Sequence, residues 1–249
     1  MPRSAKTVPA PALPYFRPEA LTFLRNLARH NDRAWFEPRR EIYERELKLP
    51  MLALIDEINH AMEDFAPEHI RLPHKAMFRI YRDTRFDAAR GHPARPYKTH
   101  VSAWWVRAGM EKTSGAGFYC HFSPTETIVA AGAYMPTGDQ LLAIRQHIEA
   151  HHRELRALLT NRKLKAAMEE WEESSMKRVP RGFCADSPAA DLLRQRRWGV
   201  SATLPAEAAI APGLVKQIAR RFALAAPLVH FLNAGIDAGP TSRPKYGES

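Results

Sequence analysis

The chain predicts an α+β fold in which a central antiparallel sheet, a meander of about four to five strands, is packed by N-terminal and C-terminal helices. Three observations carry this reading. Apolar residues recur at helical spacing near both ends of the chain, and short runs rich in aromatic and β-branched residues occupy the middle. The links between those middle runs are too short for crossover helices, so neighbouring strands pair antiparallel.

Pro18 stands where a helix begins, and Leu21, Leu24, Leu27 and Ala28 follow at helical spacing, predicting a first amphipathic helix. A second helical region covers about residues 39–65, with Met51, Ile55, Ile58 and Met62 on one stripe and Pro50 expected to break or kink it. The pattern then changes. Met77–Asp83, Lys98–Arg107, Gly117–Ser123 and Glu126–Tyr134 read as strands, and the last two are joined by "SPTE", with Pro124 suited to the second position of a tight turn. Thr137 and Gln140 have capping-box spacing ahead of a long helix marked by Leu141, Ile144, Ile148 and Leu155. Further expectations are a helix over about residues 162–173, a short one from Ser187-Pro188 through Arg194, a strand in "RWGVSATL", and a closing helix over 212–233, interrupted near Pro227. No internal repeat is visible.

A chain of 249 residues with 45% hydrophobic content can bury one large core. Residues 1–14 read as a disordered basic arm, 15–236 as a single α+β domain and 237–249 as a flexible tail. The formal net charge of +10 favours anionic partners, although Arg3, Lys6 and Arg17 place part of the excess at the N-terminus. Cys120 and Cys184 lie far apart with no paired motif, which fits a reducing, cytoplasmic setting. No apolar run approaches the roughly 20 residues of a membrane span, so no membrane partner is expected. Nothing in the residues fixes an oligomeric state.

The stretch "FRIYRDTRF", Phe78 to Phe86, puts heavy charge into a strand pattern. In an extended chain Met77, Arg79, Tyr81 and Asp83 share one face, while Phe78, Ile80 and Arg82 share the other. Arginine is not neutralised in practice, so a buried one needs a carboxylate, carbonyls or a bound anion. Pairing with "PYKTH" brings Tyr97, Lys98, Thr99 and His100 to the same end. The leading reading is a site for a small anionic molecule, a phosphate or carboxylate, held by Arg79, Tyr81, Arg82, Arg85, Tyr97, Lys98 and Thr99. If the site is an enzyme's, His100, whose ordinary pKa is near neutrality, and Asp83 are the proton-transfer candidates. The competing reading is a brace in which Asp83, Glu37, Glu41 and Glu126 pair with the arginines.

Two other classes stay open. Net charge and the strand aromatics Trp104, Trp105, Tyr119 and Tyr134 suit a nucleic-acid-binding module, against which stands the absence of RRM, KH and zinc-finger signatures. Adjacent Trp104 and Trp105 also point to opposite faces of a strand, so one belongs to a core. Arg178, Arg181, Arg196 and Arg197 suit a structural or interaction protein with a basic docking surface, and their default is a solvated face. Phosphate-loop, dinucleotide, serine-hydrolase and zinc-protease motifs are all missing. His147 and His151 have metal-ligand spacing without a carboxylate motif or cysteine cluster nearby, so neither a metal nor a cofactor is expected. Glu169, Glu170, Glu172 and Glu173 read as a solvated acidic patch on a helix.

The runs "FLRNLARHNDRAWFEPRREIYE", "FRIYRDTRF", "PYKTH", "GFYCHFSPTETIVAAGAYMP" and "KRVPRGF", in that order, resemble the conserved hypothetical family called domain of unknown function 2461, over about Tyr15 to Ile236. The resemblance implies a mainly bacterial protein and brings no activity with it. The longer link "DAARGHPARPYKTH" replaces the family's short Asp-Lys-containing one, with Arg90 or Arg95 in place of the lysine, so no shared ligand is implied.

Overall fold

The computed structural model describes residues 15–83, 95–110, 114–171 and 175–240. Helix α1 (Pro18–Arg29) starts at the proline and buries Ala20, Leu21, Phe23, Leu24 and Leu27. A continuous helical path follows through α2 (Arg33–Phe36), a 3-10 turn (Glu37–Arg39), α3 (Arg40–Tyr43), a π turn (Glu44–Lys48) and α4 (Leu49–Met62). Pro50 therefore does not break the helix. The wider π turn immediately precedes it, and Pro50 falls in the first turn of α4, where its missing N–H and its ring are tolerated. A short α5 (Pro73–Ala76) leads to the sheet.

Met77–Asp83 is not a full strand. It makes two isolated antiparallel bridges, Met77 with Ala103 and Tyr81 with Tyr97. The bonds from Phe78 N–H to Ser102 O (2.9 Å), Lys98 N–H to Ile80 O (2.7 Å) and Arg82 N–H to Pro96 O (2.8 Å) hold it alongside. Only Ile80 is buried in this segment, while Arg79, Arg82 and Asp83 are exposed, so burial anchors it at a single point.

The sheet proper has five antiparallel strands in the order β1-β2-β3-β5-β4: β1 (Val101–Val106), β2 (Gly117–Phe122), β3 (Glu126–Ala133), β4 (Glu169–Glu170) and β5 (Trp198–Pro205). The expected hairpin joins β2 to β3. Ser123 closes it, its N–H donating to Glu126 O at 2.9 Å and its hydroxyl accepting from the Thr125 and Glu126 N–H groups. Thr137 and Gln140 form the expected capping box of α6 (Gly138–Leu159). The helix expected over 162–173 is only α7 (Arg162–Lys165), after which Glu169 and Glu170 pair with Ser201 and Val200 as β4. Met168 is buried and Trp171 N–H bonds to Gly199 O at 3.0 Å, so docking on β5 overrides the helix preference of glutamate. Glu172 and Glu173 lie outside the described residues. After α8 (Ala190–Leu193) and β5, the closing helix α9 (Leu214–Ala238) runs uninterrupted through Pro227. Pro227 and Ala223, whose carbonyl loses its partner, are both exposed, so water can satisfy that oxygen.

Helices α4 and α9 cover one face of the sheet, and α1 packs on the helical segments that follow it. Ala103 and Trp105 of β1 and Phe118, Cys120 and Phe122 of β2 point into this layer and are buried. Phe222 of α9 reaches both Trp105 and Phe118, at ring separations of 5.4 and 5.0 Å, and Phe16 packs on Phe122 at 4.7 Å. No helix among the described residues is long and apolar enough to cross a membrane.

A polar pin crosses this core. Fully buried His69 donates from Nδ1 to Trp105 O at 3.0 Å, which leaves Nε2 to accept from Asn233 Nδ2 at 3.4 Å. Asn233 also clasps Ala116, accepting from its N–H and donating to its carbonyl, both at 3.1 Å. Burial pushes the His69 pKa down to about 4, below its ordinary 6.5. A base held neutral in this way contributes stability that is complete above pH 6.5 and is lost as pH falls toward 4, because the unfolded chain takes up the proton first. Urea denaturation at pH 7, 5.5 and 4 should show this loss, on the order of 2 kcal/mol from His69, and His69→Asn should lessen the slope by that share. Equal slopes in both proteins would remove His69 as the cause.

Candidate functional site

Strand alternation sends the remaining side chains of the sheet to the other face. On the first strand these are Ser102, Trp104 and Val106, with His100 just before it; on the second they are Tyr119 and His121. The register sets Ser102 opposite His121, Trp104 opposite Tyr119, His121 opposite Ile128, Tyr119 opposite Ala130, and Ala130 opposite Ser201. Small residues at Ser102, Ala130 and Ser201 leave a hollow floor, while Trp104, Tyr119, Tyr134, Trp171 and Phe78 form the walls. The result is a cavity of about 460 Å³ that also receives Lys98 and His100. Gly199 makes room for one wall, since a Cβ there would lie 2.4 Å from the Trp171 ring.

The polar groups of the cavity are linked. Tyr119 Oη and His121 Nδ1 lie 3.2 Å apart, the rings of His100 and His121 are 5.0 Å apart, and His121 Nε2 is 3.7 Å from Glu126 Oε1. Burial lowers the His121 pKa to about 4; burial, reinforced by His121 and Lys98, does the same to His100. Both imidazoles are therefore uncharged at pH 7. Burial also raises Tyr119 to about 12, so its hydroxyl keeps its proton.

Lys98 differs from its neighbours. Its ammonium lies 4.7 Å from the centre of the Phe78 ring, and burial, followed by repulsion from Arg79, lowers its pKa. Among the described residues the side chains of Lys98 and Arg79 have neither a hydrogen bond nor an ion pair. At the rim, Arg197 stacks over Tyr134 at 5.1 Å. The indole N–H of Trp104 is sealed from solvent with no acceptor among the described residues.

The residues expected to form one cluster are divided. Lys98 and His100 enter the cavity; Arg79 is exposed and does not line it, although its charge reaches Lys98. Tyr97 turns into the helix layer: it stacks on Phe36 at 4.1 Å, its hydroxyl donates to Glu37 Oε1 at 3.4 Å, and its main chain exchanges two 2.9 Å bonds with Asn31. Tyr81 accepts from Arg40 Nη2 at 2.9 Å, and Glu37 pairs with Arg40 rather than with Arg79. Arg82 and Asp83 are exposed and Thr99 is half-buried; none of the three lines the cavity. Arg85 and Arg90 lie outside the described residues. Residues that the sequence reading did not assign to an anion site, Ser102, Trp104, Tyr119, His121, Trp171 and Ser201, complete it. The alternation within 100–104 and 119–121 was the available signal.

Two other features carry less. A larger, more open depression of about 730 Å³ between the fourth and ninth helices is lined by charges of both signs, among them Glu57, Asp64, Lys216 and Arg220. His147 and His151 have rings 4.6 Å apart, but no group of three metal-ligating side chains exists among the described residues.

A family model described as a conserved hypothetical protein (DUF2461) matches residues 19–231. No curated protein and no solved structure matches the chain.

Proposed function

We propose, for a chain that belongs to this conserved hypothetical family, that the cavity binds a small planar molecule with one anionic group, a carboxylate or a phosphate. The observation that carries this is Lys98, half-buried beside Arg79 with no carboxylate partner among the described residues. A cation taken out of water is costly unless it meets an opposite charge, and two adjacent cations raise that cost. An incoming anion relieves both. The aromatic walls supply the apolar contact that would hold a flat body, and Ser102 and neutral His100 can donate or accept hydrogen bonds at its edge.

The nucleic-acid reading has weaker support. Trp105 belongs to the core, Trp104 is buried, and Tyr134 is the one strongly exposed aromatic of the set, so the face accommodates a single ring better than a stacked tract. We place the protein in the cytoplasm, on the strength of two separate free cysteines, buried Cys120 and exposed Cys184.

Titration with benzoate and phenyl phosphate, with benzyl alcohol as the neutral comparison, tests the proposal through tryptophan fluorescence, since Trp104 and Trp171 both line the cavity. Saturable quenching by the two anions and little by the alcohol is expected. Equal response to the alcohol would remove the anionic part of the reading, and no saturable response to any of the three would sink it.

A further inference from the structure

We infer that Lys98 is a nucleophilic amine that condenses with the carbonyl group of a planar aldehyde or keto acid bound in this cavity, forming an imine. The inference rests on the anion-binding reading and adds a reaction to it. In the step, the lone pair of Nζ attacks the carbonyl carbon and a carbinolamine forms. The added nitrogen gives up a proton, the hydroxyl leaves as water, and C=N replaces C=O. Nothing is oxidised or reduced, and no co-reactant is needed.

The geometry supplies the parts. Nζ lies against the face of Phe78 inside the aromatic cavity, without a hydrogen bond or ion pair among the described residues to tie up its nitrogen. A lysine used only as a structural anchor is ordinarily paired with a carboxylate. Partial burial and the neighbouring guanidinium of Arg79 both favour the uncharged amine, the two devices by which lysines become nucleophiles. The roles can then be separated. In a ligand that carries both groups, Arg79, exposed beside the cavity rather than lining it, keeps its charge and attracts the anionic end, and the Lys98 amine is left to attack the carbonyl. His100, neutral and in the same cavity, can take the proton from the adding nitrogen and return it to the departing hydroxyl. His121 stands behind it at 5.0 Å and is linked in turn to Tyr119.

The test uses 4-formylbenzoate, which combines a flat ring, a carboxylate and an aldehyde, with cyanoborohydride to fix any imine as a stable amine, followed by peptide mass mapping. At pH 7 Lys98 should be labelled ahead of every other lysine, because a lowered pKa enlarges the fraction of free amine. Excess benzoate should slow labelling at Lys98 and leave the other lysines unchanged, and Lys98→Arg should abolish the fast phase. If benzoate binds the wild-type protein but labelling spreads evenly over surface lysines, the imine inference is overturned and the binding reading stands. If Lys98 is labelled fast but benzoate does not compete, the carbonyl compound does not use the anion cavity and the inference is overturned as stated. If benzoate neither binds nor competes and no lysine is favoured, both fall.

Discussion

Replacing Trp105 with alanine is expected to lower the unfolding free energy by about 3–5 kcal/mol, the usual cost of truncating a fully buried large aromatic. Trp105 has no exposed surface and packs against Phe222. Its indole N–H donates to Asn59 Oδ1 at 3.0 Å, Asn59 in turn donates to Arg71 O at 2.7 Å, and the Trp105 carbonyl receives His69. The truncation therefore opens a cavity and also strands the Asn59 oxygen. Since domains are commonly stable by only about 5–15 kcal/mol, the loss takes a large share of the total. Trp105→Phe separates the two contributions: it keeps most of the volume, loses the bond, and should cost about 1–3 kcal/mol. Urea denaturation with a comparison of midpoints and slopes measures both. A loss below about 1 kcal/mol for the alanine variant would contradict the packing described.

Lys98→Met should behave in the opposite sense on stability. It is expected to weaken benzoate and phenyl phosphate binding by roughly 10–100-fold, in keeping with the loss of a charge-assisted contact of about 1.5–3 kcal/mol. The same substitution should leave the thermal midpoint unchanged or raise it, because it removes a half-buried cation that has no hydrogen bond or ion pair among the described residues and puts an apolar side chain of similar length against Phe78. A structural brace predicts the reverse, with stability lost and binding absent from the start. Parallel calorimetric melting and fluorescence titration of the two proteins would decide between them. A variant that melts well below the wild type would remove Lys98 from the ligand site and make it a structural residue.

The architecture was legible in the residues wherever local chemistry and burial agreed. The hairpin was visible through Pro124, the sixth helix through Thr137 and Gln140, and the first helix through Pro18. The misread segments are those where distant contacts decide. Glu169 and Glu170 have helical preference and become a strand only because Gly199, Val200 and Ser201 receive them. The run from Met77 to Asp83 has strand composition, but one buried isoleucine does not anchor a full ladder.

The candidate site was half legible for the same reason. Lys98 and His100 are neighbours in the chain, and their concentration of polar chemistry is visible there. His121 and Tyr119 join them only through the register of the first two strands, and Trp171 only through the space left by Gly199. The tyrosines at 81 and 97 fit the same polar pattern, yet their partners Arg40 and Glu37 come from the helix layer. Which face of an irregular segment meets which neighbour is a matter of packing, and pattern alone does not encode it.

The alternation in the first two strands decides what a change of sequence does. Trp104 and Trp105 are consecutive letters with unrelated duties, one lining the cavity and the other sustaining the core. Exchanges at positions 100, 102, 104, 119 and 121 accordingly reshape the hollow and leave the core positions 103, 105, 118 and 120 untouched. Deleting one residue within the first strand would do the opposite, swapping the two sets at a stroke and placing a polar row against the helices.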